Sequence, residues 1–516
     1  MTDYHNKFIP FPDVYSVAGP DVFGGLEGQV EGEVNLIVLP LAYVENLDQL
    51  KNQGSMGAEE TLRFLQSQLQ NQVEAKDGIY VYRMLEGLDV AFVDDHIFKE
   101  SKFSVTNLEA LVRKQWPNED RRPLLLTNVE KYHIKFGNRG LKVQEPQFLQ
   151  ANSDVVNEGI IIGSEELHAK LQENRRHLPA QKASEIMNRP LYPNQFIKFL
   201  PPLNACNSRV EYAVVKGVLF WNKGKTRILD TRDIEVRLFD PPEYQMKISI
   251  GNHQMEGLLG IAPNDMEQYI AMQYAMVSPD ISLVILAGSH GSGKTLLSYV
   301  SAVDSILFYP DRIRSMRKIE EKGGIFKQIV LLKPNDIIGG PRRGIGDLPG
   351  SMYDKLRPFL ESYSDAHRDS VLGKHFPFEE MLKHPKYENK FGEKRKPDLK
   401  INGAYLPPDC EALELTYSGF MRGRSFKNTI LVMDEAQNYT PYELKTCLQR
   451  LGEGCKCIIL GDPLQKDNPQ VTRNINGLTY AIKNYLKQPY SVLVKLSVNY
   501  RHQIAEDSDG IRAYNV

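Results

Sequence analysis

The 516-residue chain contains no apolar run near the roughly eighteen residues that a bilayer-crossing helix requires, so a helix through a membrane is not expected. Its first residues, Met1-Thr2-Asp3-Tyr4-His5, lack the charged-then-apolar layout of an export signal, and a cytoplasmic location is expected. Cysteine is scarce and odd in number, at five, and Cys455-Lys456-Cys457 is not the CxxC knuckle of a zinc site. That spacing puts both sulfurs on one face of a strand, so reduced, mostly buried thiols are expected. Net charge is only -2, and any basic surface must therefore be local. Internal repeats and low-complexity tracts are also lacking. Length is not: a chain this long exceeds one hydrophobic core and implies two or three domains.

From about Ser282 onward, apolar runs alternate with amphipathic stretches. The runs are Ser282 to Ala287, Gln328 to Leu332, Thr429 to Met433, Cys457 to Leu460 and Ser491 to Leu496. This rhythm predicts a parallel α/β sheet. A helix is predicted after Gln437: Thr440 and Glu443 form a capping box, Pro441 takes the first position, Leu444, Cys447, Leu448 and Leu451 share a face, and Gly452 ends it. Pro201 to about Pro242 reads as a small β-rich module that looks like a connector. Ahead of it lies another α/β pattern, with strands at Leu36-Ile37-Val38-Leu39 and Leu124-Leu125-Leu126 and a helix from Ala58 through Val73. The expected division is 1–160, 161–255 and 256–516. Lys383 to Lys400 carries seven basic residues against three acidic ones, with Tyr387 and Phe391 among them, and reads as a surface insertion.

Gly288-Ser289-His290-Gly291-Ser292-Gly293-Lys294-Thr295 satisfies G-x-x-x-x-G-K-[ST], between a predicted strand and a predicted helix, the context a phosphate-binding loop requires. Its glycines let backbone N–H groups turn onto phosphate oxygens, Lys294 neutralises the β and γ phosphates, and Thr295 offers a hydroxyl to magnesium. The run Thr429 to Met433 then delivers Asp434 at a strand end, where a carboxylate holds magnesium through its water shell. Glu435 follows, placed to polarise the attacking water. ATP and Mg2+ are the expected cofactors.

The residues around these two motifs resemble the PhoH-like ATPases. Asp434-Glu435-Ala436-Gln437-Asn438, Leu460-Gly461-Asp462-Pro463-Leu464-Gln465 and Arg422-Gly423-Arg424-Ser425 carry the resemblance. So do Pro263 to Gln268, Gly346 to Gly350, Asn476 to Thr479 and Tyr500-Arg501-His502, in the family's order from Gly260 to about Glu506. The resemblance implies a relation to helicase ATPase cores, with a C-terminal P-loop NTPase domain built on a RecA-like parallel sheet. It implies that Gln268 reads the adenine edge and that Gln465 contacts the γ-phosphate or the attacking water. Arg450 and Arg501 become candidates for stabilising the transferred phosphoryl group, one within the chain and one across a subunit boundary. Only about 80 residues follow Asp434, enough for one sheet domain, so a second wall for ATP is expected from another subunit of a ring. A hexamer is what the resemblance implies.

The front of the chain resembles the PIN nuclease domain that precedes the ATPase in one branch of this family. Phe8-Ile9-Pro10-Phe11-Pro12-Asp13, Leu39-Pro40 with Glu45-Asn46-Leu47-Asp48, and Leu124 to Asn128 carry this second resemblance. Such nucleases need clustered carboxylates to hold a divalent metal pair. Here Asn46 and Asn128 stand where acids are expected, and no aspartate occurs around Thr106-Asn107-Leu108. Asp13, Glu45 and Glu109 are left, with Asp94-Asp95 as substitutes. The expectation is a fold that has lost cleavage. RNA or single-stranded nucleic acid is the expected partner, with the Lys383 to Lys400 insertion and Arg342-Arg343 as backbone contacts. The rival expectations are an ATP-gated oligomeric scaffold for a partner protein and, resting on Asp13 and its neighbours, an active metal-dependent ribonuclease.

Overall fold

A computed structural model describes residues 4–28, 30, 32–98, 104–117, 123–150, 153–201, 210–217, 219–222, 225–228, 234–239, 247–250, 253–278, 280–307, 326, 328–334, 352–374, 377–381, 400–401, 404–405 and 411–501. The Lys383 to Lys400 insertion, apart from its last residue, falls outside these. So do Arg342-Arg343, Gly346 to Gly350 and His502.

The front sheet has seven strands, β1 (Lys7–Pro10), β2 (Asn35–Pro40), β3 (Gln72–Lys76), β4 (Ile79–Leu85), β5 (Leu88–Val93), β6 (Leu124–Leu126) and β7 (Lys142–Gln144). Their order is β3-β4-β5-β2-β1-β6-β7, parallel from β5 to β7 and antiparallel at the β3-β4-β5 end. β2 and β5 are buried at every position, apolar except for Asn35 and Asp89, which are hydrogen-bonded to Leu26 O and Tyr4 Oη. Around them lie α1 (Pro12–Ala18), α2 (Asp21–Gly25), α3 (Leu41–Asn52), α4 (Met56–Gln68), α5 (Val105–Gln115) and α6 (Glu130–Gly137). The helix expected through Val73 stops at Gln68. Leu69 and Val73 continue its apolar spacing, yet both are exposed, and pairing with β4 draws Gln72–Lys76 into a strand instead.

A second sheet begins at β8 (Ile160–Ile162), so the expected 160/161 division falls inside a strand. It continues through α7 (Glu165–Glu173), β9 (His177–Pro179), α8 (Ala180–Met187), β10 (Phe196–Phe199) and β11 (Glu211–Lys216). A hairpin of β12 (Leu219–Asn222) and β13 (Lys225–Ile228) precedes β14 (Glu235–Phe239), and the sheet order is β8-β10-β11-β14-β9. A further hairpin pairs β15 (Lys247–Ile250) with β16 (His253–Glu256).

Then comes α9 (Met266–Tyr269), which runs into a π-helical segment at Ile270–Met276. Next are β17 (Leu283–Gly288), α10 (Lys294–Leu307), β18 (Gln328–Lys333) and α11 (Met352–Asp369). After a two-residue pair, β19 (Lys400–Ile401) with β20 (Ala404–Tyr405), follow β21 (Glu411–Tyr417), β22 (Thr429–Met433), α12 (Pro441–Leu448), β23 (Lys456–Gly461), α13 (Gly477–Tyr485) and β24 (Ser491–Leu496). The third sheet is wholly parallel, in the order β21-β18-β22-β23-β17-β24. Alternate strand residues feed opposite cores. Val284, Leu286, Val432 and Leu460 pack with Leu297, Val300 and Leu360 of α10 and α11. Ile285, Met433 and Ile459 pack with Leu444, Cys447 and Leu478 of α12 and α13. The expected α/β architecture with a C-terminal parallel sheet is thus present.

Three local details differ from expectation or add to it. The α12 capping box forms, with Glu443 N donating to Thr440 Oγ1 at 3.2 Å and Thr440 N to Glu443 Oε2 at 2.9 Å. The helix ends at Leu448, ahead of Gly452, because Arg450 O and Gly452 N both bond Phe426 and pull the chain back beside the sheet. Cys447 and Cys457 are buried free thiols, while Cys455 is half-buried and just precedes β23. No helix among the described residues is long and apolar enough to cross a membrane.

The front domain is seated on the third sheet's helices. Lys445 Nζ meets Asp21 at 2.6 Å, Arg422 pairs with Glu59 and Glu60, and Ser16 Oγ donates to Gln470 at 3.2 Å. Half-exposed ion pairs contribute little. Packing contributes more: Ile475 is fully buried within the front domain's own core, and Gly19 faces the Tyr442 ring of α12. Gly19 has φ +59°, and an added Cβ would stand 2.6 Å from Tyr442 Cδ2. Gly19→Ala is expected to lower stability by about 2 kcal/mol, through backbone strain and displacement of that ring. Urea melts of the two proteins check this, and an unchanged midpoint would refute it.

Candidate active site

The carboxyl ends of the six parallel strands meet at one edge, where an open α/β sheet presents its ligand crevice. β17 ends at Gly288, and the phosphate loop carries the chain into α10 with Gly291 at φ +79° and Gly293 at φ +91°. These left-handed values are what glycine permits at low cost. Ser292 is fully buried and its Oγ donates to Ser289 O at 2.8 Å, fixing the loop. Lys294 Nζ donates to Gly288 O at 2.7 Å and Ser289 O at 2.8 Å, so the ammonium is folded back over its own loop. Burial pushes this ammonium's pKa down, while Asp462, Glu435 and Asp434 push it back up and Arg501 opposes them.

Those influences identify what faces the loop. β23 lies between β17, which leads into the phosphate loop, and β22, which delivers Asp434. Asp462 follows β23 and is buried, with Oδ1 accepting from Leu464 N at 2.9 Å. Asp434 is 5% exposed. Burial alone would raise its pKa, yet Lys333, Tyr363 and the Glu435 N–H hold the carboxyl below the usual range. Lys333 Nζ lies 2.6 Å and Tyr363 Oη 3.0 Å from the same oxygen, Oδ2. Glu435 adopts φ +55°, a conformation strained for a non-glycine residue and found where function over-determines the backbone. Gln437 fixes it: its Nε2 donates to Glu435 Oε2 at 2.7 Å while its Oε1 accepts from Asp462 N at 2.9 Å. Sequence reasoning had assigned no role to Gln437, Asp462, Lys333 or Tyr363.

Gln268 is buried, and both ends of its amide are taken by backbone. Its Nε2 donates to Ser292 O at 3.1 Å and its Oε1 accepts from Asn264 N at 2.9 Å. Here it braces the phosphate loop, and an adenine contact requires exchanging one of these bonds. Gln465 sits half-buried in the loop after β23, between the phosphate loop's strand and that of Asp434. Arg501 lies against the loop in the same chain, its Cγ 2.6 Å from the position of a Cβ on Gly291, and Tyr500 N donates to Gly291 O at 3.1 Å. Arg450 lies elsewhere. Its carbonyl bonds Phe426 N ahead of β22, at the amino edge of the sheet, on the order of 20 Å from Asp434. Arg450 Nε is buried without a hydrogen-bond partner among the described residues.

Asp434 and the Thr295 hydroxyl are hard oxygen donors of the kind magnesium takes, and both stand at the phosphate loop's edge of the sheet. The donor set fits the metal, provided Asp434 can release an oxygen.

In the front domain, parallel β1, β2, β5 and β6 bring Asp13, Glu45, Asp94 and Asn128 to one edge. Asp13 accepts from Asn128 N at 2.7 Å and Thr127 Oγ1 at 3.1 Å. Glu45 and Asn46 are exposed on α3, Asp94 accepts from His96 N at 3.0 Å, and Glu109 lies 3.8 Å from Arg113 on α5. Among the described residues no three potential ligands converge on a metal position. Both amide atoms of Asn128 are buried without a hydrogen-bond partner among the described residues. Burial pushes the Asp13 carboxyl up from 3.8 to about 6, against its hydrogen bonds from Asn128 and Thr127 and the nearby His133.

Residues 260–509 match the family described as PhoH-like protein. Protein PhoH2 of Bacillus subtilis (strain 168) is 32% identical over 251 residues, 49% of this chain and 47% of that one. A PhoH-like protein of the same organism is 29% identical over 215 residues, 42% of this chain and 52% of its own length. Protein PhoH of Escherichia coli (strain K12) is 26% identical over 215 residues, 42% and 48% respectively. The chain thus spans about half the length of the curated relatives it matches.

Proposed function

Because residues 260–509 form a PhoH-family domain, we propose that the chain is an ATP-hydrolysing, magnesium-dependent ring ATPase. It acts on RNA or single-stranded nucleic acid, as a helicase or translocase, in the cytoplasm. The observation that carries the reading is the placement of the Lys294 loop, Asp462 and Asp434-Glu435 at the carboxyl ends of three adjacent parallel strands, β17, β23 and β22. Asp434 and the Thr295 hydroxyl would hold magnesium, which would supply charge neutralisation to the phosphates. The phosphate loop binds and orients the triphosphate through its N–H groups, and Lys294 exchanges its two carbonyl bonds for phosphate oxygens. Glu435, aimed by Gln437, takes the proton of the attacking water. Gln465, entering between them, senses the terminal phosphate.

A ring is supported by the two arginines, which occupy opposite edges of one sheet. Arg501 serves its own site and Arg450 is presented to a neighbour's. Phe420, Leu464 and Val498 expose apolar surface on loops beyond the carboxyl ends of β21, β23 and β24, where a neighbouring subunit would cover them. The front domain is proposed to be PIN-like and without nuclease activity, supported by its dispersed carboxylates and the orphaned amide of Asn128.

Single-stranded RNA or DNA is expected to stimulate ATP hydrolysis, and the stimulation to fall steeply as salt rises, because phosphate contacts release counterions. Steady-state ATPase assays across a salt series check this. No stimulation by either strand favours the ATP-gated scaffold, a reading that the firm seat of the front domain also supports. Light scattering that finds a fully active monomer would sink the ring.

A further inference from the structure

Asp434 Oδ2 is held by two protein donors, Lys333 Nζ at 2.6 Å and Tyr363 Oη at 3.0 Å, while Oδ1 accepts from Glu435 N at 3.0 Å. All three side chains are buried: Asp434 is 5% exposed, Lys333 8% and Tyr363 0%. Lys333 closes β18, next to β22 in the sheet, and its ammonium lies 5.8 Å from the centre of the Tyr363 ring of α11. A buried carboxylate without a counter-charge is strongly unfavourable, so some cation must stand beside Asp434 whether or not nucleotide is present. The ammonium stands at the carboxylate that a hydrated magnesium ion would engage, and two cations beside one buried carboxylate repel each other.

We propose that Lys333 is a placeholder cation of the ATP site. It neutralises and aims Asp434 in the nucleotide-free protein and gives up Oδ2 when magnesium and nucleotide enter. Tyr363 keeps the carboxylate oriented during the exchange. Lys333 is thus a positioning residue, and it sets how tightly the metal binds. The inference rests on the magnesium–ATP reading and deepens it.

The test uses the full chain, a nonhydrolysable ATP analogue and Mn2+ as a spectroscopically visible substitute for Mg2+, with affinity read by electron paramagnetic resonance. Lys333→Met removes the competitor and is expected to tighten Mn2+ binding about tenfold, since a deserted buried carboxylate gains more from the metal than a paired one. Its melting temperature should fall without ligand and recover most of the difference with Mn2+ and analogue. Lys333→Arg keeps a cation, folds, and grips the carboxylate through two N–H groups, so Mn2+ binding should weaken severalfold. Unchanged or weaker Mn2+ binding in Lys333→Met overturns the proposal. Should that variant not fold, unchanged or tighter binding in Lys333→Arg overturns it. Analogue binding indifferent to Mn2+ in the unaltered protein would instead sink the magnesium–ATP reading, and the placeholder with it.

Discussion

Glu435→Gln is expected to bind ATP as the parent does and to hydrolyse it about 10²–10⁴-fold more slowly, the usual contribution of a positioned general base. The substitution isolates chemistry from structure. Glutamine matches glutamate in length, is no less able to hold φ +55°, and its side-chain carbonyl can still accept from Gln437 Nε2, now 2.7 Å from Oε2. What is lost is the capacity to take a proton, together with one negative charge facing Lys294. Single-turnover hydrolysis beside equilibrium binding of a fluorescent ATP analogue separates the two quantities, and normal turnover would remove Glu435 from the role of base. Lys294→Ala is the contrasting lesion, because it strikes binding itself.

Asp13→Asn is expected to stabilise the front domain at neutral pH. The folded carboxyl titrates near 6 against an ordinary 3.8, chiefly because it is desolvated. A raised acid constant means that the fold favours the neutral form: its stabilising contribution is complete below about pH 4 and is lost as pH rises through about 6. Above that the parent carries a desolvated carboxylate and the Asp13→Asn variant does not, a difference on the order of 2–3 kcal/mol. The new amide's carbonyl can still accept from Asn128 N, the 2.7 Å bond of the parent. Urea melts at pH 4 and pH 7.5 should show the advantage of Asp13→Asn growing between them. Destabilisation at pH 7.5 would refute the argument, and a parent stabilised by Mn2+ at that pH would restore a metal role to Asp13.

How much of this could be read in advance depended on range along the chain. β17 and β22 are buried at every position and announce themselves as nearly unbroken apolar runs, and β23 and β24 do so over Cys457 to Leu460 and Val492 to Val494. Strand β21 did not, because Leu413, Leu415 and Tyr417 alternate with Glu414 and Thr416 at the sheet's edge; period-two alternation was the signal that could have found it. The phosphate loop is eight consecutive residues and therefore legible. Lys333 and Asp434 are 101 positions apart, and Tyr363 and Asp434 are 71. No local pattern links them. Lys456 is the extreme case: between two cysteines that drew attention, it is buried and donates to the carbonyls of Ala275, Met276 and Ser278, closing the end of a π-helical segment that sequence spacing did not show. Arg450 and Arg501 were equivalent as letters, and sheet topology alone set them at opposite edges.

The seat of Gly19 and Ile475 bears on the history of the chain. Ile475 lies in the same loop as Gln465, between β23 and α13, and it is walled by the core of the front domain rather than by its own. Removing that domain would strip the covering from a loop at the carboxyl edge of the third sheet. Substitution at Gly19 and Ile475 is therefore constrained by the shape of the contact, whatever chemistry the front domain carries. A domain can in this way serve as masonry for the neighbour that leans on it.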